Sequence, residues 1–131
     1  MKFYQKHKRL SMALTFAFFI FTGACGFPIY NLSREWSTML TISIVLLGVS
    51  LYSSIGATES VMFPNCKLCH ILLLNLLLVL LSMGSRYLLE FGEVSNTYNF
   101  TLFNIVVYLF IVPVFTLLAY EFMDKAKYKK E

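Results

Sequence analysis

The sequence predicts an all-α polytopic membrane protein, a bundle of four transmembrane helices with both termini cytoplasmic. Three observations carry that expectation. The charge-free stretches 10–33, 36–58, 68–85 and 94–120 are each long enough to cross a bilayer. A helix rises ~1.5 Å per residue, so about 20 apolar residues span the ~30 Å hydrocarbon layer. Only 14% of the residues are charged and 58% are hydrophobic, whereas soluble domains carry ~25% charged residues. A buried core does not account for the deficit, because most of a soluble domain of this size lies near water. Finally, the basic residues are sorted by side.

That sorting gives the orientation. Lys2, Lys6, Lys8 and Arg9 precede the first stretch, and Lys125, Lys127, Lys129 and Lys130 follow the last. Lys67 lies in the middle loop, while the first and third loops hold only Arg34 and Arg86. Four spans put the tails and the middle loop on one side, and the positive-inside rule makes that side the cytoplasm. The net charge of +4 then reflects topology and attraction to anionic headgroups. It does not call for nucleic acid as a direct partner.

The elements follow in order within a single domain. The first helix is expected over about 10–27, stopping at Pro28, with Tyr30 and Trp36 in the interfacial aromatic belt. The second covers about 37–57. The inner loop, about 58–67, contains Glu59, Phe63, Pro64, Asn65 and Lys67. The third, rich in Leu, covers about 68–89, and the fourth about 98–122 with Pro113 inside it. Helices in lipid associate through small residues and hydrogen bonds. Gly48 with Gly56, and Ser50 with Ser54, are the small pairs of helix two. Asn75, Ser82 and Arg86 form a polar stripe on helix three, and Thr101, Asn104 and Tyr108 one on helix four. The simplest arrangement packs the two stripes together, with Arg86 near the outer surface and Glu90 one turn on.

Chemistry-bearing motifs are few. Cys66-Lys67-Leu68-Cys69-His70 matches the C-x-x-C-H pattern of haem attachment and the C-x-x-C of membrane thiol oxidoreductases. Both chemistries belong on the oxidising side of a membrane, and the charges put this motif on the other. A metal site from Cys66, Cys69 and His70 lacks a fourth ligand unless a second copy supplies one. Thr22-Gly23-Ala24-Cys25 looks like a lipoprotein cleavage box after a basic start and an apolar run, with Thr a poor fit at the first position. Asn31-Leu32-Ser33 and Asn99-Phe100-Thr101 are glycosylation sequons, relevant to a eukaryotic source. There is no Ser-His-Asp set, carboxylate pair, phosphate loop or H-E-x-x-H helix. The expectation is a protein that is not an enzyme and holds no cofactor.

The stretch Leu47-Gly48-Val49-Ser50-Leu51-Tyr52, a short inner loop with Glu59 leading to His70, and Asn104-Ile105-Val106-Val107-Tyr108 before a basic tail occur in that order. Over roughly residues 40–130 this layout resembles a bacterial family of small four-span proteins of unassigned function. Its members are often paired with LytTR-type transcription regulators. The resemblance implies that the chain holds a cytoplasmic regulator at the membrane. Glu59, Phe63, Asn65 and Lys67 of the inner loop are then the partner-binding candidates.

The expected function is that of a small integral membrane regulatory or interaction protein of a bacterial cell membrane. Its expected partners are the lipid bilayer and either a protein partner or a second copy. Two other readings share the size, basicity and lack of catalytic residues. One is an immunity or resistance protein against a membrane-active peptide, and the other a subunit of a small oligomeric transporter.

Overall fold

The computed structural model describes residues 6–27 and 38–128. They form α1 (Lys8–Gly26), α2 (Thr38–Met62), α3 (Leu68–Leu89), the short α4 (Val94–Asn99) and α5 (Leu102–Tyr128), with no strand among the described residues. Four helices are long and apolar enough to cross a membrane: α1, α3, Ile42–Met62 of α2 and Leu102–Lys127 of α5.

Local chemistry sets most helix ends. Phe27 is extended, with φ −89° and ψ 136°, and its N–H donates to Gly23 O at 3.1 Å. It precedes Pro28, which disfavours helical geometry in the residue before it. Asn65 turns the chain between α2 and α3 at φ 57°, a left-handed conformation that asparagine tolerates. Gly92 does the same after α3 at φ 84°. Thr101 caps α5, its Oγ1 accepting from Asn104 N–H at 3.2 Å.

Three expected boundaries move, one of them the end of the last helix, which runs to Tyr128 and not to about 122. Helix two does not end near residue 57 but continues to Met62, so Glu59 belongs to a helix and not to the loop. The stretch expected as one helix over about 98–122 is divided. α4 ends at Asn99 and α5 begins at Leu102, because the Thr101 cap starts a new helix there. At 27 residues, α5 is about 40 Å long. It outruns the hydrocarbon layer and carries Lys125 and Lys127 in its last turn.

α2 packs most extensively on α5, α1 on α3, and α3 on α5, while the α1–α2 seam is thin. The helices therefore run around the bundle in the order α1, α3, α5, α2. Glycine permits two of the close approaches. A Cβ on Gly56 would lie 2.1 Å from the carbonyl oxygen of Thr116 on α5. A Cβ on Gly23 would lie 2.4 Å from Ser82 Oγ on α3. Gly48 is different, since a Cβ there meets nothing within 4 Å. Ser50 and Ser54 likewise face outward, donating to Leu46 O and Ser50 O at 2.8 Å. Of the two expected small pairs of α2, Gly56 makes a close helix contact, while Gly48 meets nothing within 4 Å and Ser50 and Ser54 are exposed.

Phe19, Phe27, Tyr52, Ile55, Leu78, Val79, Met83, Tyr108 and Val112 form the core. Outside it, large apolar side chains face away from the protein, among them Phe21, Leu73, Phe110 and Phe122, each at least 66% exposed. A water-soluble surface does not carry so continuous an apolar coat. Outward hydroxyls such as Ser43, Ser50 and Ser85 donate to carbonyls one turn back, as a medium without water requires.

The contacts also order the two ends. Lys127 reaches Ser60, Tyr120 reaches the α2–α3 turn, and Tyr108 reaches Gly23. The starts of α1 and α3 and the ends of α2 and α5 thus lie at one end of the bundle, called here the tail end. The far end carries the α3–α4 turn.

Candidate functional site

Polar side chains gather at both ends of the bundle and at one point between. At the tail end, Glu59 of α2 and Asn75 of α3 are each fully buried. Asn75 Nδ2 donates to Glu59 Oε2 and to Ile71 O, both at 3.0 Å. Glu59 Oε1 and Asn75 Oδ1 are buried without a partner. Next to them, Lys127 Nζ donates to Ser60 O at 2.6 Å and Ser60 Oγ at 3.1 Å. A lysine from α5 thereby satisfies a carbonyl in the last turn of α2, where cations are favoured.

The tail-end turn is held by one hydroxyl. Tyr120, only 1% exposed, donates to Phe63 O at 2.7 Å and accepts from Cys66 N–H at 3.1 Å. These two bonds fix the backbone on both sides of Pro64 and Asn65. Pro64, Asn65, Lys67, Leu68, Cys69 and His70 are all exposed around the turn. Of the loop candidates, Asn65 and Lys67 therefore face outward, Phe63 is half-buried, and Glu59 is enclosed.

In the middle, Tyr108 Oη donates to Gly23 O at 3.0 Å and meets Tyr52 Oη at 2.6 Å. Gly23 O can only accept, so Tyr52 is the donor of the second bond. This chain joins α2, α5 and α1 in the core.

The far end is a network around Glu90. Arg86, one turn back, forms an ion pair with it. Asn99 Nδ2 donates to Glu90 Oε2 at 3.1 Å, and Asn96 Nδ2 donates to Glu90 O at 2.8 Å. Asn104 Nδ2 donates to Asn99 O at 3.0 Å. The network fastens α4 between α3 and α5.

The two polar stripes do not lie on each other as expected. Asn75 turns to Glu59, and Ser82 donates to Leu78 O and sits against Gly23. Arg86 joins Glu90, Thr101 is an exposed cap, Asn104 closes on its own loop, and Tyr108 spans to α1. The divergence follows from the partners lying elsewhere: Glu59 on α2 takes Asn75, Glu90 takes Arg86, and the Gly23 carbonyl on α1 takes Tyr108.

No protein-family model, curated protein or solved structure matches the chain.

Cys66 and Cys69 are free thiols, the first half-buried and the second exposed beside an exposed His70. Among the described residues no three His, Cys, Asp or Glu side chains gather to hold a metal ion. Cys25 is exposed in the last turn of α1. Of the sequons, Asn99 is 2% exposed and committed to Glu90, and Asn31 lies outside the described residues. Sequence spacing missed Tyr120, Ser60 and Lys127. The run of Tyr52, Ile55, Gly56, Glu59 and Met62 at helical spacing was the signal that α2 continues and that Glu59 faces inward.

Proposed function

We propose that this chain is a membrane-embedded interaction protein whose tail end is a preformed docking face for a cytoplasmic protein. The observation that carries the reading is the pinned turn. Tyr120 fixes Phe63 and Cys66 from a buried position, while Asn65 and Lys67 stand outward. A loop already held in one shape loses less conformational freedom when a partner binds. The basic residues on either side of the spans favour a cytoplasmic tail end. A cell-membrane location follows the same reading.

The partner suggested by the layout's family resemblance is a DNA-binding regulator, kept from its target by being held at the membrane. Its contact residues are Asn65 and Lys67, with the exposed part of Phe63. Glu59 is enclosed and is not among these contacts.

A photo-crosslinking residue at position 67, in native membranes, tests this. A discrete adduct with a soluble protein is expected, and Tyr120→Phe should lower its yield severalfold at unchanged protein level. Adducts with lipid alone, or a yield indifferent to Tyr120→Phe, would overturn the reading.

A further inference from the structure

Glu59 is the one fully buried acidic side chain among the described residues, and it forms no ion pair. α1 carries no charged residue between Arg9 and Gly26, and α3 none between His70 and Arg86. Glu59 is the one charged residue of α2, and α5 has none before Glu121. Farther along α5, Lys127 Nζ is engaged by Ser60, Asp124 adds a second carboxyl with an unpartnered Oδ1, and Tyr120 is committed to the turn. His70 is exposed in the first turn of α3. A bare carboxylate here would have one amide hydrogen bond and no counter-charge inside a span, an arrangement of high cost.

The hydrogen-bond account is short by one donor. Asn75 Nδ2 spends both of its N–H groups, on Glu59 Oε2 and Ile71 O. The amide cannot be turned over, because its oxygen would then face two acceptors. Glu59 Oε1 and Asn75 Oδ1, both fully enclosed, remain as acceptors without a donor. A protonated carboxyl supplies one O–H donor. Placed on Oε1 and directed to Oδ1, it completes the two-bond ring that a carboxylic acid forms with a primary amide. A metal cation fits less well, since hard cations take six or more oxygen ligands and the pair has two to offer.

We propose that Glu59 and Asn75 form a proton-binding site within the membrane span, the proton sitting on Glu59 Oε1 and shared with Asn75 Oδ1. The O–H bond forms with a proton taken from water at the tail end, and no other bond changes. The site ties α2 to α3, which are not neighbours around the bundle. It is independent of partner binding and stands or falls separately from it.

Infrared spectroscopy of the full chain in phosphatidylcholine vesicles reads the site directly. At pH 7 a carboxylic-acid carbonyl band is expected that is lost in Glu59→Gln. In Asn75→Leu the band should move to higher wavenumber, because its hydrogen-bond acceptor is gone. Exchanging choline for sodium should leave it in place. A wild-type minus Glu59→Gln difference showing only carboxylate, or a band abolished by sodium, would overturn the proposal. Should Glu59→Gln fail to fold, as judged from the amide band, Asn75→Leu decides alone. A band unmoved by that change would refute the shared proton.

Discussion

The bundle holds a glutamate beside an asparagine at each end, and the two pairs are built differently. Glu90, at the far end, has Arg86 one turn back, Asn99 across from it, and partial exposure. Glu59, at the tail end, has Asn75 alone and no exposure. The far-end pair is a fastener, because its charge is answered by Arg86 and its side chains are partly exposed. Both ends hold buried polar atoms without a partner, Arg86 Nε and Asn96 Oδ1 at the far end and Glu59 Oε1 and Asn75 Oδ1 at the tail end. Buried polar groups are rarely left without partners, and what sets the tail end apart is that its two orphans are both acceptors, one of them on a carboxyl with no ion pair. The glycines repeat the contrast. Gly56 lets α2 approach the backbone of α5, whereas Gly23 lets α1 approach a side chain of α3.

The largest difference between the two ends is expected at those glycines. Gly56→Ala puts a Cβ 2.1 Å from the Thr116 carbonyl oxygen, and should cost about 3 kcal/mol in detergent unfolding of the purified chain. Gly23→Ala should cost about 2 kcal/mol, and Ser82→Gly should recover most of it, because Ser82 Oγ and Cβ are what the new methyl meets. No side-chain change on α5 should rescue Gly56→Ala, since its obstacle is main chain. Equal rescue at both sites would erase the distinction.

Smaller effects follow from the hydrogen bonds. Tyr108→Phe removes the donor to Gly23 O and strands the Tyr52 hydroxyl. A loss of about 1 kcal/mol is expected by the same unfolding measurement. Glu90→Gln should cost less than about 1 kcal/mol and depend on salt, as a partly exposed ion pair does. A salt-independent cost of several times that size would make the far end as closed as the tail end. Gly48→Ala, with no neighbour in reach, should be neutral or stabilising by up to about 1 kcal/mol through helix propensity.

Four long helices were legible because each charge-free stretch contains most of one of them. The ends of α2 and α4 were less legible. Glu59 reads as a loop residue when acidity is taken as a sign of exposure, yet it keeps helical phase with Tyr52, Ile55 and Met62. Thr101 with Asn104 carries a cap signature inside an apolar run, where it is easily passed over. Asn75 was recognisable as an intramembrane polar residue, but its partner was not. α2 and α3 are joined by a short turn yet are not neighbours around the bundle, so the sequence does not show that Glu59 and Asn75 reach each other across it. Tyr120 was invisible for another reason. Its role comes from two backbone atoms of the turn, and backbone atoms leave no mark in a sequence.

The orientation of the bundle decides whether the tail end can meet a cytoplasmic partner at all. Lys67→Cys and Glu93→Cys, each in a chain whose three native cysteines are serine, place single thiols at exposed positions on opposite ends. A membrane-impermeant maleimide applied to intact cells is expected to label Glu93→Cys, and to reach Lys67→Cys only after the membrane is opened. Labelling of Lys67→Cys from outside, with Glu93→Cys protected, would contradict the proposed docking face.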